Sequence, residues 1–250
     1  MSVIIKKRAI CPLFLYTPFH MKVIILAAGK GTRLQPFTHT TPKPLLPLRD
    51  NVTILDSILE NLPDEINEVI IIIAHLGHVV RDFVSNRTDH RKITLVEQDE
   101  NLSGTMGALL SAKHLLGTNE SFLVMNGDDL QEKNELEKFI QDPNIHTFGV
   151  QKSIMPGYLA ININAEGYVT GFRDQTDEEK ANGALVATGT YFINASLFSF
   201  DPEPIFGGAF GLPQTIVKHL ETNPIKAVET HHWKSINTHE DLEYAQKMNK

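Results

Sequence analysis

The sequence predicts an α/β fold built on a mostly parallel sheet with helices on both faces. Three observations carry this reading. Apolar runs of strand length alternate with stretches of helical period from residue 21 to residue 150. The runs are apolar throughout rather than alternating, as strands covered on both faces are. The first run leads directly into a glycine-rich turn, and in such sheets ligands gather at the carboxyl ends of the strands.

Residues 23–28 form the first strand. Residues 52–62 read as a helix with Ile54, Leu55, Ile58 and Leu62 on one face. The second strand, 68–74, carries five β-branched residues in a row. Helix 79–84, strand 92–97, helix 105–116, strand 121–126, helix 134–140 and strand 146–150 continue the alternation. This order implies a parallel sheet with right-handed crossovers. The second half is richer in strands: 158–164, 168–173 and 185–193, with Ala165-Glu166-Gly167 as a hairpin turn. Residues 176–180 read as a charged, mobile loop. Helix 212–220, strand 225–229 and helix 240–248 close the chain. No linker marks a second domain, so residues 21–250 are expected to form one catalytic domain. No repeat follows it, so a single activity is expected.

Residues 1–20 read separately, as an extension outside the core. Lys6, Lys7 and Arg8 precede a loosely apolar stretch, the outline of a secretory signal. Pro12 and Pro18 interrupt that stretch and no small-residue cleavage site follows. Met21 then opens the first strand, as though translation had an upstream start. An extra edge element is the other reading.

The composition, 42% hydrophobic and 21% charged, is that of a globular protein. A net charge of −7 argues against wrapping nucleic acid. No apolar run approaches the ~20 residues needed to span a bilayer, and no membrane partner is expected. Cys11 is the only cysteine, so neither an internal disulfide nor a cysteine-based zinc site is available, and a cytoplasmic setting is expected. His75 with His78, and His231 with His232, lack an evident third metal ligand.

The most informative segment is Leu26-Ala27-Ala28-Gly29-Lys30-Gly31-Thr32-Arg33-Leu34. Small residues let a backbone approach a ligand with its N–H groups pointing inward, which suits a triphosphate. It is not a P-loop, because four residues do not separate a glycine from Gly-Lys-Ser/Thr. It is not the dinucleotide fingerprint, because leucine stands at position 34 where a third glycine belongs. Pro42-Lys43-Pro44-Leu45-Leu46-Pro47 follows, a stiff and extended segment that presents Lys43 with little backbone freedom.

Together these two segments resemble the sugar-1-phosphate nucleotidyltransferases, such as glucose-1-phosphate thymidylyltransferases and mannose-1-phosphate guanylyltransferases. The likeness runs from residue 21 to about residue 248. It implies a three-layer α/β/α sandwich with a mixed, mostly parallel central sheet of Rossmann-like kind. It implies that the turn cradles a nucleoside triphosphate through Leu26, Ala27, Ala28, Gly29, Gly31 and Thr32. Arg33 would hold the phosphates and steady the leaving pyrophosphate, and Lys43 would contact the α-phosphate and the sugar phosphate. The resemblance places Gln98 on the base edge, where an amide can donate and accept at once. It also places Gly104 and Thr105 beside the base.

The strand 121–126 ends in Asn126-Gly127-Asp128-Asp129. The resemblance implies a magnesium ligand at Asp128, with Asp129 next in line, and magnesium favours a few hard protein oxygens beside phosphate and water. The second ligand is expected at Asn237, although the local reading is a helix start capped by Thr238 with Asp241. On the sugar side the match implies Asp174, Gly189 and Tyr158, with Gly157 beside Tyr158. Many relatives carry a lysine where Gln175 stands, leaving Arg173 as a possible substitute, although its side chain should face the opposite way along a strand.

The implied reaction is attack of a sugar 1-phosphate oxygen on the α-phosphorus, releasing pyrophosphate, with catalytic Arg33, Lys43 and Asp128. A phosphate oxygen is already ionised near neutral pH, so no general base is needed. The alternatives are a phosphocholine-type cytidylyltransferase and a non-catalytic relative that senses nucleotide sugars. A dinucleotide oxidoreductase is disfavoured by Leu34. Base, sugar and oligomeric state are open.

Overall fold

The computed structural model describes residues 21–155 and 157–248; the expectation for residues 1–20 lies outside the described residues. β1 (Met21–Leu26) opens the fold. After three short helical turns come β2 (Pro47–Arg49), β3 (Val52–Thr53) and α1 (Ile54–Asn61). Then follow β4 (Ile66–Ile73), α2 (Gly77–Ser85), β5 (Lys92–Glu97) and α3 (Gly104–Ser111). β6 (Ser121–Asn126), β7 (Asp129–Leu130), α4 (Lys133–Glu137) and β8 (Thr147–Ser153) complete the first half.

The second half contains β9 (Ala160–Ile163), β10 (Val169–Arg173), α5 (Asp177–Asn182) and β11 (Ala184–Asn194). It ends with α6 (Leu212–Lys218), β12 (Lys226–Glu229), β13 (Lys234–Ser235) and α7 (His239–Met248).

Seven strands form the main sheet in the order β12-β8-β11-β6-β1-β4-β5. β6, β1, β4 and β5 run parallel to one another, and β12 runs parallel to β8. β11 alone is antiparallel, to β6 on one side and β8 on the other. The sheet is therefore mixed and mostly parallel, as expected.

Each strand's side chains alternate between two cores. Val23 and Ile25 of β1 pack in one core with Leu55, Ile58 and Leu59 of α1, Val80 of α2, Leu136 of α4 and Leu242 of α7. Ile24 packs in the other, with Met106 and Leu109 of α3 and Leu212 and Ile216 of α6. Ile70 and Ile72 of β4 share this second core, while Val69, Ile71 and Ile73 join the first. Two apolar faces on one sheet require helices on both sides, giving three layers.

Three local expectations are corrected. Residues 176–180 are not a mobile loop: Thr176 caps α5, its hydroxyl accepting from the Glu179 N–H while the Glu179 carboxylate accepts from the Thr176 N–H. This capping box satisfies the helix start and was hidden in the charged run. The proline segment is not extended throughout, because residues Lys43–Leu45 make a helical turn closed by Leu46 N–H on Lys43 O. α1 begins at Ile54 rather than at 52, because the Thr53 hydroxyl and Asp56 carboxylate cap it reciprocally.

The ends of β1 and β6 lie side by side at the crest of the sheet, where Gly127 N–H donates to Leu26 O at 2.9 Å. A Cβ on Gly127 would stand 3.0 Å from the Ala27 Cβ and 3.1 Å from Leu26 O. Gly127→Ala must therefore spread two strand ends, and it should lower stability by about 1–3 kcal/mol. Urea unfolding checks this; an unchanged midpoint would show that the strand ends yield freely.

Candidate active site

The glycine loop leaves the sheet where Ala27 N–H donates to Ile72 O at 2.9 Å. Gly31 has φ 62°, and a Cβ there would lie 2.8 Å from Thr38 Cγ2. Both conditions call for glycine. The buried Thr38 hydroxyl donates to Gly31 O at 2.9 Å and fixes the loop from behind. Leu34 N–H then donates to Gly31 O, closing a turn that sinks Leu34 into the core and leaves the neighbouring Arg33 exposed. A Cβ on Gly29 would meet nothing within 4 Å. That glycine is not required by packing, and it opens onto the cavity described next.

The cavity measures about 690 Å³. Leu26, Ala27, Ala28, Gly29, Gly31, Thr32 and Arg33 line one wall. Gln98, Gly104 and Thr105 line another, and Lys43, Asp128 and Asn237 close one end. Every expected nucleotide, catalytic and metal residue thus faces one space.

At that end Lys43 forms an ion pair with Asp128 and lies 3.5 Å from Asn237 Oδ1. Arg33 Nη2 donates to the same Asn237 oxygen at 2.9 Å. Asn237 Nδ2 donates to Ser235 Oγ at 2.7 Å, which fixes the amide's orientation. Its backbone N–H and that of Thr238 both donate to Asp241 Oδ2 at 2.9 Å, and Asp241 N–H donates to Thr238 Oγ1. The capping reading and the site reading of this segment therefore coexist: the helix start holds Asn237 in place.

Asp129 behaves differently from its neighbour. It is fully buried on β7, accepts from Asn126 Nδ2 at 2.8 Å, and has an Oδ1 with no protein partner. Burial first, and the adjacent Asp128 charge second, push its carboxyl well above the usual range. Asp128 lines the cavity and Asp129 does not.

Gln98 Nε2 donates to Leu102 O, and the residue braces the loop into α3. Gly104 has φ 87°, and a Cβ there would lie 2.4 Å from Phe210 O. The Thr105 hydroxyl accepts from Leu212 N–H at 2.9 Å. The segment before α6 thus clamps the wall that carries Gln98.

Of the expected sugar-side residues, Gly189, Tyr158 and Asp174, none lines the cavity. Gly189 (φ 75°) sits where β11 breaks its pairing with β8, and a Cβ there would lie 2.0 Å from Asn126 Nδ2. It therefore abuts the crest beside Asp128. The half-buried Tyr158 phenol lies within hydrogen-bonding reach of Asn237 and feels Asp129, Arg33 and Asp128; burial, above all, raises its pKa. Asp174 is exposed and does not line the cavity. Arg173 does not substitute for a lysine: Glu179 holds its guanidinium through two bonds of 2.6 Å, and Asn162 takes a third.

Sequence reasoning missed Thr38, Asn126, Ser235 and Phe210. Their roles are contacts across 7 residues or more, or to a neighbour whose own place the fold decides. The Asn126-Gly127 pair beside the carboxylates was the one available signal.

A family model described as nucleotidyl transferase matches residues 22–247. The bifunctional protein GlmU of Methanocaldococcus jannaschii is 31% identical over 182 residues, covering 72% of this chain and 40% of the relative. The low-salt glycan biosynthesis nucleotidyltransferase Agl11 of Haloferax volcanii is 28% identical, covering 89% of this chain and 64% of the relative. The chain spans about half the length of the GlmU relatives it matches. Among solved structures, UDP-glucose pyrophosphorylase complexed with UDP-glucose superposes with a TM-score of 0.78 at 18% identity, covering 92% of this chain and 98% of that one. The inositol-1-phosphate CTP transferase from T. maritima gives 0.73 at 17% identity, covering 93% and 97%. At these identities the likeness is one of fold.

The raised pKa of Asp129 means that the folded protein keeps a proton that the unfolded chain releases above pH about 4. Stability from this group is therefore present at low pH and falls as pH rises towards the folded value. Asp129→Asn keeps the acceptor for Asn126 and removes the titration. Urea unfolding from pH about 5 to about 8 should show a smaller loss of stability in the variant; equal slopes would place the proton elsewhere.

Proposed function

The chain belongs to the nucleotidyl transferase family, and on that premise we propose that it condenses a nucleoside triphosphate with a sugar 1-phosphate, releasing pyrophosphate. One observation carries the reading. The open glycine loop, two cations and one carboxylate converge on a single cavity large enough for a nucleotide.

In this reading the N–H groups of the loop receive the triphosphate, and the wall of Gln98, Gly104 and Thr105 receives the base. An oxygen of the sugar phosphate attacks the α-phosphorus; the bond to the β-phosphate oxygen breaks and pyrophosphate departs. The attacking oxygen is already ionised, so the protein's task is alignment and charge stabilisation. Arg33 and Lys43 supply that charge where the α-phosphate and the leaving group would lie. The amide of Asn237 steadies both cations without cancelling either. Tyr158 and Gly189 border the acceptor, while Asp174 would need to move inward to reach it.

Magnesium fits this site. Asp128 Oδ2 and Asn237 Oδ1 already face one cation, the Lys43 ammonium, and both are hard oxygens of the kind magnesium takes in small number from protein. Among the described residues no group of three or more histidine, cysteine or acidic side chains offers a richer site. When bound there, the ion would neutralise phosphate charge. Among the described residues no helix is long and apolar enough to cross a membrane, and a cytoplasmic setting accords with the nucleotide substrate.

The reading is tested by measuring pyrophosphate release with magnesium from ATP, CTP, GTP, UTP and dTTP. Each is paired with glucose 1-phosphate, mannose 1-phosphate, N-acetylglucosamine 1-phosphate and phosphocholine. Release with a sugar phosphate, lost on chelation, is expected; release with phosphocholine alone would replace the acceptor class. Asp128→Ala should reduce turnover at least about a hundredfold while circular dichroism stays native. Near-normal turnover in that variant would remove Asp128 from the mechanism.

A further inference from the structure

Gln175 lies outside the cavity lining yet is among the buried polar residues, 8% exposed. Its Nε2 donates to Tyr158 O at 2.7 Å and to Met155 O at 3.1 Å. Both donors of the amide are thus spent on backbone carbonyls of one segment, 17 and 20 residues earlier in the chain. Its Oε1 is buried without a protein partner.

The tethered segment carries Tyr158, which does not itself line the cavity but stands beside Asn237, which does. Met155 and Tyr158 pack against Trp233, Ala160, Ala184 and Val186 in a small core of their own. Trp233 is itself pinned by Gln151, which accepts from its backbone N–H at 3.0 Å and donates to its backbone carbonyl at 3.2 Å. Four residues further on stands Asn237, the amide that Arg33 and Lys43 share. Gln175 therefore holds the backbone of the segment whose side chains, Met155 and Tyr158, pack on the tryptophan that leads into the charge cluster. The residue on its C-terminal side, Thr176, is fixed as the cap of α5, so the tether has a rigid base.

We propose that Gln175 is a positioning residue for the acceptor: by holding the carbonyls of Met155 and Tyr158 it sets the Tyr158 phenol beside Asn237, and so governs capture of the acceptor but not of the triphosphate. This rests on the reading of the cavity end as the acceptor side. Gln98 and Gly104, the wall that receives the base, have supports of their own in Leu102 and Phe210, so loss of the tether falls on the acceptor side.

Gln175→Met keeps the volume and removes both donors. Left without their partner, two half-buried carbonyls release the segment, and an effect of about tenfold follows from losing such bonds. The expected result is a roughly tenfold rise in KM for glucose 1-phosphate, or for mannose 1-phosphate if that is the sugar turned over, with KM for the triphosphate changed by less than about twofold. Trp233 is the only tryptophan in the chain, so its emission reads the same core without turnover, and it should shift to the red in Gln175→Met. Tyr158→Phe should raise the acceptor KM similarly while leaving the emission in place. The double variant should be no worse than either single one, as for residues acting through one contact.

Equal rises in both KM values, additive losses in the double variant, or unchanged Trp233 emission in Gln175→Met would each overturn the proposal. If the unaltered protein turns over no acceptor at all, the reading of the cavity fails instead. The emission arm keeps the two failures apart, because it reports the tether in the absence of any substrate.

Discussion

Lys43, Arg33, Asp128 and Asn237 come from stretches of chain up to 204 residues apart and meet at one end of the cavity. Two cations face one carboxylate there, so the local charge is positive in a chain whose net charge is −7. Two cations this close repel, and the walls of a cavity strengthen the repulsion relative to bulk water. The cluster holds because Asp128 compensates Lys43 while the neutral oxygen of Asn237 is shared by both. A carboxylate in place of Asn237 would cancel the surplus charge that an anionic ligand needs. The sheet crest, the capped start of α7 and the glycine loop all serve to bring these groups to one point.

The supporting structure around this point is made largely of neutral groups. Thr38 fixes the glycine loop, Asn126 donates to one oxygen of Asp129, Ser235 orients Asn237, and Gln175 anchors the segment of Tyr158. Neutral donors and acceptors can be buried at modest cost once they are paired, whereas a further buried charge would need its own partner. Asp129 is the exception, an acid enclosed next to Asp128, and its environment favours the protonated form. Burial first, and the adjacent Asp128 charge second, work against a second negative charge at this point.

The alternation of apolar runs was readable because each strand of a doubly covered sheet has to be apolar on both faces. That is why β1, β4 and β6 were legible in the sequence at nearly their observed bounds. Helix ends were less legible. The Thr176–Glu179 pair is a capping box in full view, yet it lies within so charged a stretch that polarity outweighed it. The turn at Lys43 was obscured for a related reason: proline excludes the interior of an α-helix but tolerates a single helical turn. Both errors came from reading composition where a specific pair of residues decides.

By itself the sequence determined the layered α/β class, the glycine loop with its flanking cations, and the family to which the chain belongs. These are local patterns, dictated by backbone freedom, side-chain period and residue spacing. Only the tertiary structure decided which of two adjacent aspartates faces the cavity, that Arg173 is consumed by Glu179, and that Asp174 stands outside. It also decided that Phe210 closes on Gly104 and that Gln175 reaches Tyr158. Each of these depends on where a partner distant in the chain comes to rest. No period or spacing encodes that position, because it is the packing of the whole sheet and both of its helical layers that sets it.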